Sequence, residues 1–119
     1  MDSKILKKII FHKNTTIKSV LVRFSETAIN TGGKGFGLVV DDDKKCIGVI
    51  TDGDIRRALI DNSNFSNLKA NDLMNKNPLT AIETDNLQLA ETRMREAKVQ
   101  CLVVKNKIDE VVGVIQIFE

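Results

Sequence analysis

Two stretches of the chain carry one pattern, and an internal repeat constrains the fold more than any single residue does. The first is Gly37-Leu38-Val39-Val40, a charged turn over 41–45, and Cys46-Ile47-Gly48-Val49-Ile50-Thr51. The second is Cys101-Leu102-Val103-Val104, a polar turn over 105–110, and Val111-Val112-Gly113-Val114-Ile115-Gln116. Each reads as an apolar strand, a turn and a second apolar strand containing Gly-Val-Ile, with a helical periodicity upstream, from Ile17 in one copy and Leu87 in the other. A repeat of about 65 residues with this helix–strand–strand plan implies a two-lobed unit whose functional site lies between lobes.

The copies are read as residues 1–63 and 64–119. Residues 3–8 are amphipathic and Ile9-Ile10-Phe11 is a short apolar strand. Asn14-Thr15-Thr16 offers capping side chains for a helix starting near Ile17. On it Ile17, Val20, Leu21, Phe24 and Ala28 recur at three- and four-residue spacing, which predicts one buried face. Thr31 to Gly37 is a glycine-rich loop that the second copy lacks. Asp52-Gly53-Asp54 opens another helix to about Ile60, with Ile55, Ala58 and Leu59 inward. The polar run Asp61 to Asn67 is the natural boundary between copies. Lys69 to Met74 makes a helical turn and Leu79 to Ile82 a strand matching 9–11. Thr84-Asp85-Asn86 caps a helix with Leu87, Ala90, Met94 and Ala97 inward. The second copy ends at Glu119 without the helix that follows Thr51 in the first. Either the N-terminal segment replaces that helix or the chain is a piece of a longer protein, and the second reading is favoured.

With 42% hydrophobic and 29% charged residues, the 119-residue chain has the balance of a soluble globular protein. A net charge of +2 is too small to argue for nucleic acid or an anionic membrane. There is no Tyr or Trp and only five Phe, which disfavours a base-stacking platform. Cys46 and Cys101 each begin a predicted strand and read as reduced, half-buried core thiols, since no second Cys or His lies at ligand spacing. His12 reads as a surface residue. No signal peptide or apolar run of roughly 18 residues is present, which points to a cytoplasmic chain.

The sharpest local signal is Gly48-Val49-Ile50-Thr51-Asp52-Gly53-Asp54-Ile55-Arg56-Arg57. A strand delivers Thr51 to the start of a helix, where unpaired backbone N–H groups favour phosphate. The Thr51 hydroxyl is suited to a phosphate oxygen, Asp54 to a ribose diol, and Arg56 or Arg57 to the phosphate charge. The same residues also read as local structure: Thr51 or Asp52 capping the helix, Asp54 complementing its dipole, and solvated arginines.

The order helix–strand–strand–helix, twice, with Gly-hydrophobic-hydrophobic-Thr-x-x-Asp closing the third strand, resembles a tandem of cystathionine-beta-synthase (CBS) domains over essentially the whole chain. Ala70 to Pro78 is similar to the lead-in of a second such repeat, with its D-x-M-type turn. Thr51 to Leu59 resembles CBS pairs attached to sugar nucleotidyltransferases or to arabinose-5-phosphate isomerases. The first copy lacks the D-x-M lead-in, and with Met1 in front this leans slightly toward the nucleotidyltransferase type. The resemblance implies an α+β fold of two CBS repeats packed with pseudo-twofold symmetry, each a small mixed sheet covered on one face by two helices, and further association into a homodimer. It implies AMP, ADP, ATP or a sugar nucleotide as ligand, with Thr51 on phosphate, Asp54 on ribose, and Ile10 to Lys13 with Val49 and Ile50 walling the base. In the second copy Gln116 stands for Thr and Glu119 for Asp, so a second site is expected to be weaker.

Two tempting signals are set aside. Gly32 to Gly37 follows a helix and precedes a strand, the reverse of a phosphate loop, and reads as a connector that leaves Lys34 a minor ligand role. Asp41-Asp42-Asp43 reads as a turn rather than a metal site. No Ser-His-Asp or Cys-His set is present, and the single histidine lacks an evident orienting partner, so an enzyme acting alone is not expected. The expected role is regulatory: nucleotide binding that controls an attached sugar-nucleotide or sugar-phosphate enzyme. The rival is a ligand-free dimerisation module.

Overall fold

The computed structural model describes residues 3–28, 35–61 and 65–117. It opens with helix α1 (Ser3–Lys8) and divides into two units, Lys7–Asn77 and Met1–Leu6 with Pro78–Glu119.

In the first unit, strand β1 (Ile10–His12), helix α2 (Ile17–Glu26), strands β2 (Phe36–Val40) and β3 (Cys46–Thr51), and helix α3 (Asp52–Asp61) follow in order. The sheet order is β1-β2-β3, with β1 parallel and β3 antiparallel to β2. A parallel neighbour cannot be reached by a tight turn, and α2 is the crossover. The Thr16 hydroxyl starts α2 by accepting from Ser19 N–H at 3.3 Å. The β2–β3 turn is held by Asp41, whose carboxylate accepts the N–H groups of Asp43 and Lys45, both at 2.9 Å. Strand alternation sends Phe11, Val39 and Ile50 to one face, where they form a core with Ile17, Val20 and Phe24 of α2, Ile55 of α3 and Ala70. Phe11 and Phe24 meet edge to face at 5.8 Å, and the Arg23 guanidinium covers the Phe11 ring at 4.7 Å.

Two expected core residues fall outside it. Leu21 is 39% exposed and Leu59 57%. Neighbouring positions on a helix point about 100° apart, and each helix buries only one of the adjacent pair, Val20 rather than Leu21 and Ala58 rather than Leu59.

Residues 65–75 also belong to this unit. After a 3-10 turn (Phe65–Asn67) and helix α4 (Ala70–Leu73), the chain lies along the free edge of β3. Asn75 N–H donates to Val49 O at 2.7 Å and Val49 N–H donates to Asn75 O at 3.0 Å. Asn71 N–H donates to Lys13 O and Ala70 N–H to Thr15 O, each at 2.9 Å. Gly48 makes the approach possible, because a Cβ there would stand 2.6 Å from Met74 Sδ and 2.8 Å from Asn75 O.

The second unit repeats the plan with strand β4 (Thr80–Ile82), helix α5 (Leu87–Ala97) and strands β5 (Cys101–Lys105) and β6 (Val111–Gln116). Its sheet order is β4-β5-β6, again parallel then antiparallel, and it repeats the register shift of the first hairpin at the corresponding place. Asn106 plays the part of Asp41, accepting from Ile108 and Glu110 N–H. The core gathers Ala81, Ala90, Met94 and Leu102. Leu87 is 62% exposed and Ala97 is exposed, so the inward stripe of α5 is narrower than its spacing suggests. Asn86, the last of the three proposed capping residues, caps α5 by accepting from Gln88 N–H at 2.8 Å. The chain is thus a mixed α+β protein built of two three-stranded repeats.

Candidate functional site

The β3–α3 junction brings the chemistry-bearing residues of the first unit together. Thr51 ends β3 opposite Phe36, and Asp52 begins α3 without an intervening loop. Pairing of Ile10 with Leu38 and Leu38 with Val49 places Ile10, Val49 and Thr51 on one sheet face. Ile50 lies on the other face, wholly buried in the core, so its side chain is not brought to Thr51. Lys13 is not brought there either. Strand β1 runs parallel to β2 and ends beside Val40, to whose oxygen Lys13 N–H donates at 2.9 Å. The four residue steps from Phe36 to Val40 separate the Lys13 end of the sheet from the Thr51 end by roughly 13 Å.

Thr51 and Asp54 close on each other. Asp54 Oδ2 accepts the Thr51 N–H at 3.0 Å and the Thr51 hydroxyl at 2.9 Å, while Asp54 N–H donates to Thr51 Oγ1 at 3.3 Å. This reciprocal arrangement is a capping box, and Thr-x-x-Asp is also its sequence signature. Asp54 Oδ1 accepts from Arg57 Nη2 at 2.8 Å, with the Asp54 side chain 21% and the Arg57 side chain 70% exposed. Residues three apart share a helix face, which is why Arg57 meets Asp54; Arg56 is exposed, about 100° around the helix. The turn is braced from the β2 side as well. Asp52 N–H donates to Gly35 O at 3.0 Å, and Gly35 N–H donates to Asp52 Oδ2 at 2.7 Å. The sequence reads Asp52 as a candidate cap of its own helix; the bond it makes to Gly35, 17 residues earlier, has no counterpart in that reading.

The corresponding junction of the second unit is plainer. Gln116 ends β6 opposite Cys101 and is half-buried. Ile117 N–H donates to Gln100 O at 2.9 Å, repeating the Asp52–Gly35 backbone bond with no carboxylate to add the second. Glu119 and Lys34 lie outside the described residues.

At the far end of the first sheet, His12 does have a partner. Its Nε2 lies 2.6 Å from Asp42 Oδ1 and its Nδ1 accepts from Asn14 N–H at 3.1 Å. The hydrogen bond from His12, then the nearby Lys13 ammonium, hold the Asp42 carboxyl below its ordinary 3.8. The hairpin turn, 30 residues later in the chain, supplies this orienting group, which local sequence does not reveal. No helix among the described residues is long and apolar enough to cross a membrane.

Two three-stranded repeats of one plan, the first closing on a strand-to-helix junction, define a tandem domain of the CBS class. The chain matches the CBS domain family over residues 3–61 and 70–117, and it belongs to that family. It is 32% identical over 106 residues to arabinose 5-phosphate isomerase KpsF of Escherichia coli, covering 89% of this chain and 31% of that protein. It is 35% identical over 121 residues to a probable arabinose 5-phosphate isomerase of Haemophilus influenzae, covering 98% of this chain and 36% of that protein. The chain therefore spans about a third of the length of these curated relatives. Among solved structures it resembles the CBS domain protein PAE2072 from Pyrobaculum aerophilum complexed with AMP, with 25% identity and a TM-score of 0.78 over 91% of this chain and 79% of that one. CBSX2 in complex with AMP, at 22% identity and a TM-score of 0.73 over 92% of this chain and 82% of that one, shares the fold. These relatives are isomerases, so the slight lean toward a nucleotidyltransferase finds no support among them.

Proposed function

We propose that this CBS pair, with repeats at 1–63 and 64–119, is the regulatory portion of a sugar-phosphate isomerase and binds an adenine nucleotide or a related nucleotide at the β3–α3 junction. The observation that carries this reading is the Thr51 hydroxyl and the Asp54 carboxylate held together at the end of β3, on the sheet face that also carries Ile10 and Val49. Asp54 takes the ribose diol, Thr51 and an arginine take the phosphate, and Ile10 with Val49 forms the apolar wall beside the base. Support comes from membership of the CBS family, from relatives named as arabinose 5-phosphate isomerases, and from a structural neighbour complexed with AMP. Binding regulates the attached enzyme only as far as the ligand distinguishes two packings of the pair. A second copy is the partner, and light scattering of the purified chain reads the homodimer directly.

A second reading has its own observation. Thr51 and Asp54 satisfy each other and cap α3 without any ligand, as a purely dimerising module requires. Thermal denaturation of the wild type and of Asp54→Ala with AMP, ADP, ATP, CMP and CMP-sugars separates the two. A nucleotide at a hundred times its dissociation constant stabilises the folded chain by about 2.7 kcal/mol. The nucleotide reading expects that shift in the wild type and its loss in Asp54→Ala, beyond the ~0.5–2 kcal/mol that losing the cap costs by itself. No shift with any of these ligands in a folded wild type, with a dimer seen by light scattering, favours the dimerisation module instead.

A further inference from the structure

The ion pair at the junction adds selectivity to the site. Both Asp54 oxygens are engaged: Oδ2 by Thr51, inside the capping box, and Oδ1 by Arg57 at 2.8 Å. A ribose hydroxyl reaching the carboxylate must meet Arg57 at Oδ1, because Oδ2 already accepts two hydrogen bonds from Thr51. Of the two partners Arg57 is the one free to leave, because its side chain is 70% exposed and an exposed ion pair holds weakly. Releasing Thr51 instead would open the helix cap. The guanidinium also lies across the backbone of Gly53, with Nη1 3.2 Å from the point where a Cβ would stand. Glycine at that position leaves room for the arginine to fold back onto the first turn of α3.

We infer that Arg57 determines specificity by exchanging counter-ions: without ligand it holds the diol position on Asp54, and it yields that position to a ligand carrying a 5′-phosphate to which it can transfer. This rests on the nucleotide reading of the same site. A nucleoside without phosphate breaks the Asp54–Arg57 pair and leaves the guanidinium to water, whereas a nucleoside monophosphate replaces one anionic partner with another. A phosphate offers the arginine a bidentate seat comparable to that of a carboxylate. The exchange makes the site selective for phosphorylated ligands through the apo state it must displace, as well as through the bound state. Arg56 points elsewhere on the helix and takes no part.

Titration calorimetry with two probe pairs, AMP with adenosine and CMP with cytidine, tests the exchange on the wild type, Arg57→Gln, Arg57→Lys and Arg56→Gln. In the wild type the phosphorylated member of at least one pair binds tenfold or more tightly than its nucleoside. Arg57→Gln lowers that preference about tenfold, weakening the nucleotide and strengthening the nucleoside, because the diol position is then vacant. Arg57→Lys restores part of the preference and Arg56→Gln leaves it unchanged. If the wild type binds nucleotide but Arg57→Gln keeps the same preference, or weakens both members equally, the exchange is overturned and the nucleotide reading stands. If no probe binds a folded wild type, the exchange is overturned, and the thermal panel with ADP, ATP and CMP-sugars decides the nucleotide reading separately.

Discussion

Replacing Gly48 by Ala sets local propensity against tertiary packing, and the two disagree in sign. Gly48 pairs with Val39 in the middle of the first hairpin, and its backbone is outside the left-handed region that alanine avoids. On that ground the substitution should stabilise the chain by about 0.4–1 kcal/mol, through a less flexible unfolded state. The new Cβ, however, would stand 2.6 Å from Met74 Sδ and 2.8 Å from Asn75 O. The thioether can swing aside. The carbonyl cannot, because Asn75 is tied to Val49 by reciprocal hydrogen bonds of 2.7 and 3.0 Å. If the segment stays seated, crowding costs about 1–3 kcal/mol. If it lifts off, two backbone hydrogen bonds worth about 1 kcal/mol each are lost. Either route outweighs the gain, and a net destabilisation of about 1–2 kcal/mol is expected in urea unfolding, with faster amide exchange at Val49 and Asn75. Combining Gly48→Ala with Met74→Ala should recover only part of any crowding energy, since the carbonyl clash remains. A Gly48→Ala chain as stable as the wild type, with both amides still protected, would refute the reasoning.

Gly37→Ala is expected to cost more than Gly48→Ala. Its Cβ would overlap Phe11 Cε2 and Cδ2, on a ring that Phe24 at 5.8 Å and the Arg23 guanidinium at 4.7 Å hold in place; equal losses in parallel urea titrations would contradict this. Asp42 predicts an acid-side effect. Its folded value is depressed, so its contribution is present above the ordinary 3.8 and is lost as pH falls through the lower folded value. Urea midpoints of wild type and Asp42→Asn should therefore differ near neutrality, by a small amount at so exposed a site, and converge in acid. A gap that widens as pH falls would be inconsistent with that sign.

The capping box gives the candidate site a property that matters for regulation. Its polar groups are already satisfied by one another, so the apo junction is a folded, capped helix start. A ligand there competes with internal hydrogen bonds, and its affinity is a difference between two sets of contacts. Arg57 is the exposed member of the set and the one a ligand would displace first, whereas Asp54→Ala removes the cap along with any ligand contact.

Much of the fold was legible because it is local. The repeat, the order of helices and strands, the capping chemistry at Thr16 and Asn86 and the turn residue Asp41 depend on neighbours within a few positions, and the structure reproduces them. The Thr51–Asp54 pairing is equally local, since Thr-x-x-Asp spans one helical turn, although the sequence alone assigns the two residues separate roles. Other features depended on how distant segments meet. That β1 is parallel to β2 decides that Ile10, and not Lys13, shares the region of Thr51, and strand alternation then separates Val49 from Ile50. Which of two adjacent helix residues is buried, Val20 or Leu21, followed from where the sheet met the helix. The membership of residues 68–75 in the first unit rests on hydrogen bonds to Lys13, Thr15 and Val49, and the His12 partner came from a hairpin turn far along the chain. Sequence determined the elements because their energetics are set by near neighbours. Tertiary structure alone decided the faces, edges and partners, because those are set by burial and by backbone groups that carry no residue identity.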